Sequence, residues 1–166
     1  MPVESVAIGI RVCALAWEPG ALWFASGDRG VIGTVDPGSG RREERFVHDS
    51  SIFGLARTDD ALWVLSRGGS GEPRLCELDP VDGRICRERS DLDQKVRGLT
   101  GGPRTLWAEK EGSRSLLRLE PEGMLDDPAP IVPSDCHSPV VAEGRWWALR
   151  SIRSRPTPPF RWRGLA

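Results

Sequence analysis

Hydrophobic residues occur in short segments that are bounded by Gly, Pro, Asp or Ser. Near the N-terminus these segments occupy 14–17, 22–26, 32–36 and 43–48. Each is too short for an average helix of about 11 residues. Short apolar segments between turn residues are typical of β-strands. The pattern therefore predicts four strands within the first quarter of the chain, and no helix.

A pattern centred on tryptophan recurs four times along the chain. Each copy begins with a short, mostly apolar triplet and reaches a Trp nine positions after the first residue of that triplet. The tryptophans are Trp23, Trp63, Trp107 and Trp147, and the triplets begin at Ala14, Gly54, Gly98 and Ser138. The copies are 40, 44 and 40 residues apart. A constant internal spacing within a variable period indicates a fixed hairpin between loops of different length.

A turn signature follows the tryptophan in the first three copies. An acidic residue and a Pro precede a Gly by a few positions, as in Asp36-Pro37 with Gly40 and in Asp79-Pro80 with Gly83. Pro fixes φ at the second position of a turn, and Gly accepts positive φ where the chain enters the next strand. The third copy carries Glu120-Pro121 with Gly123, and the fourth lacks the signature.

Four strands in about 40 residues, repeated, are typical of one blade of a β-propeller. A β-sandwich also has short strands and frequent turns, but it does not predict this repeat. The sequence therefore predicts an all-β propeller with about four blades of four strands. In that fold the tryptophans are expected in the apolar layers between blades.

The repeat divides the chain into four blades at 13–52, 53–96, 97–136 and 137–166. Residues 1–12 would supply a strand that completes the last blade, whose third strand would come from 159–163. The end of the chain is rich in Arg and Pro, which leaves two interpretations open. It forms a degenerate closing strand of a four-bladed ring, or the chain is half of a larger propeller that pairs with a second copy as a homodimer.

The repeat resembles that of a known group of propellers. Ala61-Leu62-Trp63-Val64 followed by Leu78-Asp79-Pro80-Val81-Asp82-Gly83 is similar to the repeats of bacterial virginiamycin B lyase-like and NHL-like propellers. The resemblance covers residues 14–123 well and 138–150 in part. It implies the propeller fold and, for the lyase, a divalent metal ion such as Mg²⁺ and a His acid/base near the channel mouth. His137 matches that His only loosely, and no second His lies beside it.

Charge and composition exclude some partners. The chain has 23 basic and 24 acidic residues, so no global field favours nucleic acid or an anionic membrane. No apolar run approaches the 18 or so residues of a membrane span. The start, Met-Pro-Val-Glu-Ser-Val, lacks a signal-peptide pattern, so we expect a cytoplasmic protein. The Arg-rich segment 145–166 leaves contact with RNA or an acidic partner as an alternative.

The four cysteines are expected to be reduced thiols, as is usual in a reducing compartment. Cys76 and Cys86 flank a turn symmetrically. A simple hairpin would place these two residues opposite each other, whereas a bulge at Gly83 would shift the register.

The repeat also predicts where distant loops converge. Loops from the fourth strand of one blade to the first strand of the next meet at one mouth of a propeller channel. The residues expected to bind a ligand there are Arg11, His48, Lys95, Arg97, Asp135 and His137. The three cationic side chains could hold an anionic group, and Asp135 could orient His137 as an acid/base pair. The alternative is that these are solvated loop charges.

The sequence contains no catalytic motif beside its strong scaffold signal. We therefore expect a non-catalytic binding or interaction module without a cofactor, whose partner is an unknown small molecule or protein at the channel mouth. The alternative is a metal-dependent lyase or another small-molecule enzyme, with His137 and Asp135 as its catalytic residues.

Overall fold

The computed structural model describes residues 10–27, 29–93, 95–102, 104–111, 116–120, 123–125, 136–142, 145–150 and 163–165. Within these ranges every regular element is a strand, and none is a helix that could span a membrane. The strands are β1 (Ala14–Glu18), β2 (Ala21–Ser26), β3 (Val31–Val35), β4 (Arg42–Val47), β5 (Ser51–Arg57), β6 (Leu62–Arg67), β7 (Pro73–Leu78), β8 (Ile85–Arg89), β9 (Val96–Gly101), β10 (Leu106–Lys110), β11 (Leu116–Glu120), β12 (Gly123–Leu125), β13 (Cys136–Ala142), β14 (Arg145–Arg150) and β15 (Arg163–Leu165).

The strands form four antiparallel sheets in chain order. The first three sheets are β1–β4, β5–β8 and β9–β12, each with its strands in sequential order, and the fourth is β13–β15. The third strand of the fourth sheet lies at Arg163–Leu165, slightly later than the 159–163 expected from the sequence. The predicted N-terminal strand falls mainly on residues 1–9, which lie outside the described residues.

The first strands of the four sheets form a closed ring. β5 lies between β1 and β9, and β13 lies beside both β9 and β1. Neighbouring first strands run in the same direction. At one end Cys13 Sγ lies 3.1 Å from the carbonyl oxygen of Ile52. At the other end Arg57 Nε donates to Glu18 Oε2 at 2.8 Å. This arrangement is a four-bladed β-propeller, and it confirms the predicted fold class.

The hydrophobic core consists of layers between adjacent blades. One layer joins Trp23 and Ile32 of the first sheet to Leu55, Val64 and other residues of the second sheet. The next layer joins Leu65 and Leu75 of the second sheet to the third sheet in the same way. Successive side chains of a strand point to opposite faces, so each sheet contributes to both of its neighbouring layers.

The acid–Pro–Gly signature forms the turn between the third and fourth strands. Asp36 Oδ1 accepts the backbone N–H of Gly38 at 2.7 Å and of Ser39 at 2.8 Å. These amides, that of Ser39 most strongly, lower the pKa of the Asp36 carboxyl. Gly40 closes the turn with a φ of 71°. The same turn recurs at Asp79 and Gly83, as the sequence predicts.

The thiols of the second sheet are not opposite each other. Cys76 pairs with Glu88, because a register shift between Glu77 and Leu78 displaces β8. Cys76 is buried and Cys86 is exposed, and both are free thiols. The simple-hairpin alternative for this pair is therefore wrong. Burial, the main cause, raises the pKa of the Cys76 thiol to about 11.

Candidate ligand-binding cleft

The cationic residues predicted at the channel mouth are exposed in the structure. Arg11 precedes β1, and Lys95 and Arg97 lie at the start of β9. Arg97 forms an ion pair with Glu111 at the end of β10. The backbone N–H of Glu111 also donates to the carbonyl oxygen of Lys95 at 2.8 Å. Part of the predicted positive field is thus neutralised within the third sheet.

His48 is buried rather than exposed at a mouth. Its side chain is 7% exposed, its Nδ1 accepts the backbone N–H of Ser50 at 3.2 Å, and Asp49 Oδ1 is 3.6 Å away. Its Nε2 is buried without a hydrogen-bond partner among the described residues. Burial lowers the pKa of the imidazole below 6.5, opposed by Asp49 and assisted by Arg74. This His therefore packs as a neutral ring between the first two sheets.

The proposed acid/base pair is only partly covered by the structure. Asp135 lies outside the described residues, and His137 is described as a backbone position in β13. Across the described residues, no three His, Cys, Asp or Glu side chains come together to suit a metal ion. The described side chains thus offer no cluster of three ligands for the divalent ion that the resemblance implies.

The clearest concave site lies elsewhere, between the second and third sheets. It is a cleft of about 480 Å³ at the end of the ring where each first strand turns into its second. Volumes of a few hundred Å³ are typical of small-molecule sites. Its lining residues are Thr58, Asp60, Ala61, Trp63, Leu75, Glu77, Arg87, Arg89, Arg104, Thr105, Leu106, Arg118 and Leu119. We call this site the arginine cleft.

The arginine cleft combines an apolar floor with positive charge. Trp63 is partly exposed there, and its Nε1–H donates to Thr58 Oγ1 at 3.2 Å. Leucines of both sheets continue the floor on either side of the indole. Four arginines and two acidic residues belong to the lining. Such a site suits an anion with an apolar body.

Arg89 and Arg87 of the lining have carboxylate partners. Arg89 makes two hydrogen bonds of 3.1 Å to the carboxylate of Asp91. These bonds are the main cause of the lowered pKa of Asp91. Arg87 Nε lies 3.4 Å from Glu77 Oε2. Arg104 is exposed and makes no ion pair with any described residue. Its guanidinium is therefore available to an incoming anion.

The cleft is open because one residue differs between two equivalent blades. In the first sheet Phe46 of β4 pairs with Ile32, and its ring stacks on Trp23 at a centroid distance of 6.0 Å. In the second sheet the same position of β8 is Arg89, which pairs with Leu75. Trp23 is consequently 3% exposed, whereas Trp63 is left partly exposed.

Sequence reasoning missed this cleft. The signal that could have found it is the alternation of the outer strands: Arg-Phe-Val at 45–47 aligns with Glu-Arg-Ser at 88–90 only once the strand pairing is known. Phe46 follows Trp23 by 23 positions and Arg89 follows Trp63 by 26. The turn of the second blade is longer, so the repeat phase alone does not align them.

Comparison with known proteins supports the fold at the structural level. No protein-family model matches the sequence, and no curated protein matches it. Among solved structures, the PQQ-bound aldose sugar dehydrogenase of Streptomyces coelicolor is similar, with a TM-score of 0.54 and 17% identity over 88% of this chain and 58% of that chain. Virginiamycin B lyase of Staphylococcus aureus has a TM-score of 0.52 and 21% identity over 86% of this chain and 49% of that chain.

A third similar structure is that of the RRP9 WD40 repeats, with a TM-score of 0.51 and 14% identity over 90% of this chain and 50% of that chain. The chain thus spans about half to three fifths of the length of these structures. The three include two enzymes and a WD40 domain, and at these identities they show the propeller fold alone.

Proposed function

We propose that the protein is a non-catalytic binding module whose ligand is a small anion with an apolar body, held in the arginine cleft. The observation that carries the proposal is a cleft of about 480 Å³ whose lining combines a partly exposed tryptophan with several arginines, among them the exposed Arg104. Aromatic and leucine side chains would bury the apolar body of the ligand, and arginine would pair with its anionic group.

The chemistry of the lining favours binding over catalysis. Arginine stays protonated in proteins, so it can hold an anion but does not move a proton. Of the two lining carboxylates, Glu77 lies against Arg87. The propeller neighbours support the scaffold, because this fold carries binding functions as well as enzymatic ones.

The proposal is tested by titrating the protein with three monocarboxylates of similar size: decanoate, decahydronaphthalene-2-carboxylate and 2-naphthoate. Binding is followed by the shift of the indole N–H signals in ¹⁵N NMR spectra, with the signal of Trp63 assigned from Trp63→Phe. At least one probe is expected to bind. We expect Arg104→Gln to weaken that binding about tenfold, because a charge-assisted hydrogen bond contributes about 1.5–3 kcal/mol.

Matched variants at the channel mouth locate the site. Lys95→Gln and Arg97→Gln remove the same kind of charge away from the cleft and are expected to leave the affinity unchanged. If these two variants weaken binding while Arg104→Gln does not, the site is the mouth and the arginine cleft is rejected. If none of the three probes binds, the proposed function is wrong.

A further inference from the structure

The layer between the first and second sheets shows how this chain fills the space beside a blade tryptophan. The ring of Phe46 lies over Trp23 with an interplanar angle of 19°. On its other side the Phe46 ring packs against Gly83 in the turn of the next blade, where a Cβ atom would come within 2.6 Å of the ring. The space beside Trp23 therefore holds one flat aromatic ring between an indole and a glycine.

The arginine cleft is the equivalent space in the next layer, between the second and third sheets. Trp63 occupies the place of Trp23, and Leu75, the partner of Arg89, occupies the place of Ile32. No aromatic side chain from β8 enters this space, because β8 contains none. Arg89, at the position of Phe46, makes two hydrogen bonds to Asp91. The cleft thus keeps the aromatic platform of the closed layer without the ring that covers it there.

The indole plane in the arginine cleft is held in position. Trp63 Nε1–H donates to Thr58 Oγ1, and Thr58 Oγ1 is itself 3.3 Å from the carbonyl oxygen of Ala61. Trp63 also packs against the layer that includes Leu65 and Leu99. A platform fixed in this way loses little side-chain freedom when a second ring stacks on it.

Charge at the rim of the cleft determines in which direction a ligand ring stacked on Trp63 would point its polar group. Arg104 and Thr105 belong to the turn between β9 and β10 and border the cleft opposite Thr58 and Asp60. A ring stacked on Trp63 would therefore carry its anionic group toward Arg104. A guanidinium pairs best with a planar carboxylate, because its N–H groups match the two oxygens.

We propose that the ligand of the arginine cleft is a planar aromatic carboxylate, whose ring stacks on Trp63 in the place that Phe46 takes on Trp23 and whose carboxylate pairs with Arg104. This inference rests on the proposed function, and it adds the shape of the ligand and its orientation. Offset-stacked rings are favoured beyond the area they bury. A flat ring should therefore bind better than a saturated one of similar size.

The first test compares 2-naphthoate with its saturated counterpart decahydronaphthalene-2-carboxylate and with 2-naphthalenemethanol, which keeps the rings and lacks the charge. We expect 2-naphthoate to bind about tenfold more tightly than either analogue. The indole N–H of Trp63 should shift upfield through the ring current of the ligand. Equal affinity for 2-naphthoate and decahydronaphthalene-2-carboxylate overturns the inference and leaves the proposed anion site intact, whereas absence of binding by every carboxylate rejects both.

The second test rebuilds the closed layer inside the cleft. Arg89→Phe places a ring where Phe46 lies in the first blade, so it should reduce binding of 2-naphthoate more than tenfold. The matched variant Arg89→Gln removes the same charge without adding a ring, and it should keep the affinity within about threefold, because that charge is already paired with Asp91. Equal losses in the two variants contradict the inference.

The platform itself is tested by two changes at Trp63. Trp63→Phe keeps an aromatic face and should retain most of the affinity for 2-naphthoate, whereas Trp63→Leu should lose it. Circular dichroism and the remaining indole signals show whether the Leu variant is folded. Should Trp63→Leu be unfolded, Arg89→Phe against Arg89→Gln decides the question alone. Retained affinity in a folded Trp63→Leu variant overturns the inference.

Discussion

Phe46 and Arg89 occupy equivalent positions in successive blades, but their effects on the neighbouring tryptophan are opposite. The phenylalanine covers its tryptophan and closes a layer, whereas the arginine turns to Asp91 and leaves a cleft. The side chain at this position thus differs between a layer that is closed and one that is left as a cleft. The sequence could predict neither role, because the bulges in β4 and β8 set the alignment of the two residues.

His48 gives the protein a pH dependence that belongs to a single residue. Its pKa is below 6.5 in the folded chain, chiefly because burial disfavours the charged imidazole. Between that pKa and 6.5 the unfolded chain binds a proton that the folded chain does not. The contribution of His48 to stability is therefore constant above about pH 6.5 and decreases as the pH falls toward the folded pKa.

Chemical denaturation at pH 8 and pH 5.5 measures this effect. The free energy of unfolding should fall more in the wild-type protein than in His48→Gln, whose side chain does not titrate. Carboxylates contribute to both proteins alike, so the difference between the two isolates the imidazole. An identical fall in the two proteins would show that His48 titrates in the folded state as it does in water.

At the scale of elements, two turn glycines of the second sheet differ in what they contact. Gly83 has a φ of 74°, and an added Cβ would meet the Phe46 ring. Gly71, before β7, has a φ of 79° and nothing within 4 Å of the same position. Both replacements incur the positive-φ penalty, but only the one at Gly83 also displaces a ring.

Gly71→Ala should therefore cost about 1 kcal/mol of stability through backbone conformation. Gly83→Ala should cost at least about 1 kcal/mol more, because the Phe46 ring must move. The extra cost should vanish in a Phe46→Ala background, which denaturation of the four variants in a double-mutant cycle will measure. Equal costs at Gly71 and Gly83 would mean that the blade contact at Phe46 is absent in solution.

The elements themselves could largely be predicted from the sequence. The Leu-Trp segments lie on second strands, and the Asp36 and Asp79 turns follow the third strands, because short apolar segments and acid–Pro–Gly turns are local signals. The register of β7 against β8 could not be predicted, because it depends on a register shift between Glu77 and Leu78 that the turn signature does not determine. Of the two arrangements that the sequence left open for Cys76 and Cys86, the one that places them opposite each other is wrong for this reason.

At the scale of the whole molecule, the repeat predicts that distant loops meet, but it does not predict which face holds the site. Of the residues predicted at the mouth, Arg11 and Lys95 precede the first strands β1 and β9, and Arg97 lies within β9. The arginine cleft lies at the opposite end, between blades. A non-local site of this kind depends on two sheets packing with one side chain out of pattern, which no single segment encodes.

Closure of the ring determines the oligomeric state that we expect. Since β13 lies beside β1, each first strand has a neighbour on both sides, and no inner strand is left for a second copy to cover. Sedimentation velocity at micromolar concentration should show a monomer of 18.3 kDa. A stable dimer would instead favour the half-propeller arrangement.

The central claim is that the open layer beside Trp63 is the binding site of this propeller. A crystal structure of the protein with 2-naphthoate tests it most directly. The account predicts the naphthalene ring parallel to the Trp63 indole and its carboxylate within hydrogen-bonding distance of Arg104. Naphthoate bound instead near Arg11, Lys95 and Arg97, or an arginine cleft filled by the protein's own side chains, would contradict it.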